Sequence, residues 1–184
     1  MIKAVSILLV VFAAFMFYGQ FMQSRKAARV SDKLIAFLME GQYDAFEKMV
    51  HEEEMYLSDY SLCYMQFLKE ILQDNRKKAD ILFDQMDEIR SSDKQKAAFY
   101  AKAMPYYLSY SDKERCRHCY EKIMSLKGNK DLKKNSGRFY RIFMENDISD
   151  KEDLIRELKT ADGEEKQVIQ KMLKRIETIE KNHE

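Results

Sequence analysis

The chain has 184 residues, 32 basic and 31 acidic, with a mean hydropathy of −0.55, five Gly, one Pro and three Cys. That near-neutral balance excludes a global positive field for nucleic acid or an anionic membrane, and so few Gly and Pro leave little room for β-turns. Low Gly and Pro with abundant Lys, Glu and Leu at three- and four-residue apolar spacing predict an all-α fold, and three Cys make no disulfide framework.

The first element is a run of nineteen uncharged residues, Ala4 to Met22. A helix of that length spans roughly 28 Å, close to the hydrocarbon thickness of a bilayer. No small-residue cleavage pattern follows it, since Met16, Tyr18 and Met22 stand where small residues are needed, so it reads as a retained anchor over residues 1–24 in contact with lipid through 4–22. All but one of the basic residues and all the acidic ones lie after Ser24, which gives a soluble body of zero net charge over residues 25–184. Arg25, Lys26, Arg29 and Lys33 follow the run and only Lys3 precedes it, so the positive excess predicts a single-pass protein of the cell membrane with a cytoplasmic body. Unpaired Cys fit the same reducing side.

The body divides into predicted helices in pairs. Either Ser31 or Asp32 caps a helix through Glu40 that Gly41 ends, or the apolar helix runs straight on through Leu34, Ile35, Phe37 and Leu38, and Tyr43 to Glu54 forms the partner. Ser58 or Asp59 opens the next, broken at Asp74-Asn75, and Lys77 to Arg90 pairs back. Ala97 to Tyr110 and Lys113 to Leu126 make a third pair. Leu132 to Met144, Lys151 to Lys159 and Glu164 to Lys181 follow, for about nine helices in one domain. Pro105 falls inside a predicted helix and is expected to kink it.

A repeat runs through these pairs. Aligning GQYDAFEKM with NRKKADILF sets Ala45 over Ala79 and Met49 over Phe83, each 34 residues apart, with Cys116 and Tyr120 falling 37 further on. A small residue followed four later by a large one, at this period, resembles the second helix of a tetratricopeptide repeat. The chain is similar, more narrowly, to small bacterial proteins that place such repeats after an N-terminal membrane helix. The early aromatic, the leucine-glycine pair and the closing proline of that family are mostly missing, so the repeats are degenerate, and the last two or three helices are atypical. The resemblance implies antiparallel helical hairpins stacked as a short α-solenoid behind the transmembrane helix, and a scaffold that binds another protein at the membrane surface.

Candidate chemistry is sparse. Tyr43, Tyr64, Tyr106 and Tyr110 are candidate protein contacts, because Tyr offers area and a hydroxyl together, whereas Tyr100 and Tyr107 read as core filler. From Lys113 to Arg141 there are ten basic against three acidic residues, and Glu145 to Glu165 holds nine acidic against three basic. Lys127, Lys130, Lys133, Lys134, Arg138 and Arg141 could form a patch for an acidic partner or lipid headgroups, at about 1 kcal/mol per near-surface cation, or the two runs could close on each other. Cys116-Arg117-His118-Cys119 has CxxC spacing. Cys116 also takes the small-residue position of the repeat, so packing stands beside the alternative, a redox, metal-binding or enzymatic centre on Cys116, His118 and Cys119. No catalytic constellation, cofactor or small-molecule substrate is nominated, nucleic acid is not expected, and the chain reads as a non-enzyme with a protein partner.

Overall fold

A computed structural model describes residues 24–182. The membrane span expected over Ala4–Met22 lies outside the described residues, and no helix within them is long and apolar enough to cross a membrane. The described residues are all-α. Helix α1 covers 24–39. It is followed by α2 (Tyr43–Glu53), a short 3₁₀ turn (Glu54–Tyr56), α3 (Asp59–Leu72), α4 (Arg76–Glu88), α5 (Asp93–Ser109), α6 (Lys113–Ser125), α7 (Lys130–Tyr140), a π-helical turn (Arg141–Glu145), α8 (Lys151–Leu158) and α9 (Gly163–Lys181). These helices fall into two compact units that divide between Arg90 and Ser91.

In the first unit, Val30, Leu34 and Leu38 recur every four residues and line one face of α1. They pack with Phe46 and Val50 of α2 and Met65 of α3. That unbroken stripe carries α1 straight through Ser31 and Asp32, which sit inside the helix rather than capping its start. Ser58 does cap α3, its hydroxyl accepting the Ser61 N–H at 3.1 Å. Lys69 and Glu70 of α3 are buried charges, with Lys69 2.8 Å from Glu70 and also ion-paired to Glu47 of α2.

In the second unit, α5 opens on a capping box in which Ser92 and Gln95 each satisfy the other's backbone N–H. It continues through Pro105 as one helix, which removes a backbone donor without ending the run. Tyr100, Ala103 and Tyr107 of α5 and Cys116, Cys119 and Ile123 of α6 are buried where the two helices pack. A separate apolar cluster joins Ile142, Leu154, Ile169, Met172, Ile176 and Ile179 from the π turn, α8 and α9. At about 1.5–3 kcal/mol for each large apolar side chain taken fully out of water, this cluster fixes the C-terminal helices.

One backbone device recurs. Gly41, Asp74, Ser111 and Asn146 all have positive φ, between 55° and 69°. At the first three the next residue donates its N–H five positions back, Gln42 to Phe37, Asn75 to Glu70 and Asp112 to Tyr107, whereas after the π turn Asp147 reaches six back, to Arg141. The first three are the left-handed helix ending in which a tight 6→1 bond recovers a carbonyl the helix would otherwise leave unsatisfied, and the fourth is its π-widened counterpart. At the first three turns the same residue that donates also starts the following helix as its N-cap, Gln42, Asn75 and Asp112. Aligned on these turns, Phe46, Ala79 and Cys116 coincide, and all three are fully buried. The first pair is therefore shifted by one residue from the expected match of Ala45 with Ala79, because the Gly41 turn is one residue shorter in period.

Candidate functional site

The second unit contains an open cleft of about 600 Å³. Three segments build it. The end of α5 and the turn into α6 supply Pro105, Leu108, Ser109, Ser111 and Lys113. The end of α7 and the π turn supply Phe139, Phe143 and Met144, followed by Asn146. Helix α9 supplies Lys171 and Arg175. The π turn widens the helix where it lines the cleft, and the Phe139 and Phe143 rings lie 4.5 Å apart between centroids, tilted by 32°. Arg175 Nη2 donates to Asn146 Oδ1 at 2.8 Å, whereas its Nε is buried without a hydrogen-bond partner. Asp112, also in the lining, is engaged by its own helix: it accepts the Arg115 N–H at 3.1 Å and lies 3.5 Å from the Arg115 guanidinium.

The tyrosines divide as their helical positions dictate. Tyr100 and Tyr107 are buried, in keeping with a filling role. Tyr106 and Tyr110 are half-buried neighbours with ring centroids 5.1 Å apart. In the first unit Tyr43 packs against the α1–α3 cluster, and Tyr64 stacks on Tyr60 at 5.8 Å. Burial raises the Tyr64 hydroxyl above its usual pKa, so it remains a protonated donor.

The six basic residues of the expected patch are not equivalent. Lys127 and Lys130 are exposed. Lys133 Nζ donates to the Met124 carbonyl at 2.8 Å, closing the end of α6. Arg138 is 3% exposed and reaches Asp150 at 3.4 Å, Asp153 at 3.5 Å and Glu157 at 2.6 Å. Lys134 also reaches Glu157, at 2.8 Å, and Arg141 pairs with Asp147 and Asp150. The basic run and the acidic run thus meet through the α7–α8 hairpin. Hydrogen bonds from Lys134 and Arg138 hold the Glu157 carboxyl below the usual range.

Cys116 and Cys119 are both fully buried and free of disulfide. Burial pushes the Cys116 thiol up to about 11, with Asp112 adding to the effect, and burial likewise pushes Cys63 up to about 11. A thiol so raised carries a negligible thiolate fraction near neutrality, and the thiolate is the nucleophile and the metal ligand. His118 of the same motif lies edge-on to Tyr100 at 6.1 Å. Among the described residues no group of three or more His, Cys, Asp and Glu is placed to hold a metal. Cys116 is therefore expected to resist alkylation by iodoacetamide at pH 7.5 in the folded chain and to react at the rate of an ordinary thiol in denaturant. Rapid labelling of the native protein, followed by peptide mass spectrometry, would contradict the buried-thiol reading.

Nothing in the tyrosine, lysine or cysteine patterns pointed to the cleft. Its cations come from α6 and α9, and its apolar lining depends on a π turn that helical periodicity does not encode. The signal available was local: Lys171 and Arg175 stand four apart on α9 with no acid three or four residues to either side. Comparison of the chain with protein-family models, curated proteins and solved structures returns no match.

Proposed function

We propose that the chain is a membrane-tethered adaptor built from degenerate, tetratricopeptide-like helical hairpins, which holds a partner protein beside the bilayer. The observation that supports it is the recurrence of one left-handed turn at Gly41, Asp74 and Ser111, with a wider left-handed turn at Asn146, each joining two helices. Hairpin repeats of this kind present contact surface rather than a reaction centre, and the buried thiols give the CxxC no obvious chemistry. The uncharged run from Ala4 to Met22 supplies the tether, and Tyr106 with Tyr110 supplies adjoining aromatic contact area.

The test is photo-crosslinking in cells, with a benzophenone amino acid placed at Tyr106 or Tyr110 and, as a control, at the exposed Ile81. The adaptor reading expects the full chain to stay with membranes after alkaline extraction and to give a discrete protein adduct from Tyr106 or Tyr110. Release of the chain by alkali overturns the tether. Failure of every position to yield a discrete adduct overturns the adaptor.

A further inference from the structure

We propose that the cleft between the α5–α6 turn, the π turn and α9 binds a phosphate monoester carried on an apolar body. Its lining is apolar at Leu108, Phe139, Phe143 and Met144, and its charged groups are three cations, Lys113, Lys171 and Arg175, against one acid, Asp112, which is ion-paired with Arg115. On α9 neither cation has a compensating acid three or four residues away in its own helix, and on α6 the acid beside Lys113, Asp112, is engaged by Arg115. Lys113 opens α6, at the end where the helix dipole disfavours positive charge. Lys171 and Arg175 lie one turn apart on α9, about 6 Å along its axis, and repel one another. No Asp or Glu occupies positions 167, 168, 174, 178 or 179, the helical neighbours of that pair, and the Arg175 guanidinium hydrogen-bonds a neutral amide, Asn146.

The donor set selects the charge class. Because Asn146 Oδ1 already accepts from Arg175, its amide NH₂ is the group left to donate, and Arg175 Nε is a buried donor without a partner. Donors from a guanidinium, two ammoniums and an amide lining one cleft suit a tetrahedral dianion with several acceptor oxygens. The apolar lining then adds affinity for whatever carries the phosphate, and a cleft of about 600 Å³ has the capacity of an ordinary small-ligand site. The chemistry could come from a soluble aryl or alkyl phosphate or from a phosphatidic acid headgroup. This inference needs no protein partner and rests on the adaptor reading only for the tether, which alkaline extraction tests separately.

The full chain is reconstituted in phosphatidylcholine nanodiscs and dialysed against 1-naphthyl phosphate, with 1-naphthol and inorganic phosphate as comparators. In a second arm, nanodiscs with and without phosphatidic acid are compared by hydrogen exchange over α9. Saturable binding of naphthyl phosphate, tighter than inorganic phosphate and weakened roughly tenfold or more in the Lys171→Gln/Arg175→Gln double variant, assigns a soluble ligand. Protection of α9 by phosphatidic acid alone, lost in the same variant, assigns the lipid. Lys113→Gln, on a different helix, must weaken binding in the same arm, and Lys171→Arg must retain it. Binding in neither arm, equal binding of naphthol, or binding indifferent to all three cations overturns the proposal.

Discussion

Replacing Arg138 with alanine is expected to destabilise the second unit by about 3–5 kcal/mol, the range for removing one partner of a buried ion pair. The guanidinium is nearly inaccessible and meets three carboxylates, Asp150, Asp153 and Glu157, so its loss leaves three acids gathered around an empty site. Arg141 still reaches Asp150 and Lys134 still reaches Glu157, which moderates the repulsion without filling the space. Arg138→Lys keeps the charge but cannot span three partners with one compact ammonium, and should fall between wild type and alanine. Arg138→Met fills the volume and should also fall short of the alanine loss. The measurement is chemical denaturation of the full chain, with hydrogen exchange reporting α7 and α8 separately. An alanine variant within about 1 kcal/mol of wild type would mean that the network is a surface arrangement of little net worth.

The same network carries a pH dependence of fixed sign. The Glu157 carboxyl is held below its ordinary value by Lys134 and Arg138, so it binds its proton less readily in the folded chain than in the unfolded one. Its contribution is fully present above the unfolded carboxyl pKa and is lost as pH falls through the lower, folded value. Arg138→Ala removes one cause of the shift, so the acid limb of the stability profile should flatten in that variant. Glu157 is more than a third exposed, so the change should be modest and diminish with salt.

The charge segregation was legible in the sequence; its destination was not. The basic stretch to Arg141 and the acidic stretch from Glu145 could equally have faced outward as two patches. The left-handed residue at Asn146 and the loop to Asp150 turn α8 back along α7, and that tertiary event decides which cations remain at the surface. Tyr100 and Tyr107 were readable because seven residues is two helical turns, which puts both rings on one face. The cleft was not readable. Lys113 and Lys171 are 58 residues apart, and no local pattern sets them in one cleft. The alignment of the helix pairs was close but displaced, because composition points to the small residue Ala45 whereas backbone geometry counts from the positive-φ turn.

That displacement can be measured at two adjacent residues. Phe46 is fully buried beside Leu34, Leu38 and Met65, and Phe46→Ala is expected to cost about 3–5 kcal/mol, since the cavity left in so ordered a cluster cannot collapse completely. Ala45, one position earlier, is half-buried, so Ala45→Leu should cost well under that. At Ala79 and Cys116, the turn-matched positions of the next two pairs, a small side chain is fully buried, and Ala79→Leu or Cys116→Leu should cost about 1–3 kcal/mol by overpacking. The contrast lies in side-chain size: one turn-matched position is filled by a ring, and the other two hold an alanine and a thiol that are equally buried. Denaturation of the four variants, with hydrogen exchange over α2, α4 and α6, separates the registers. If Ala45→Leu proved as damaging as Ala79→Leu while Phe46→Ala was mild, the 34-residue alignment would be the physical one and the turn at Gly41 would not set the repeat.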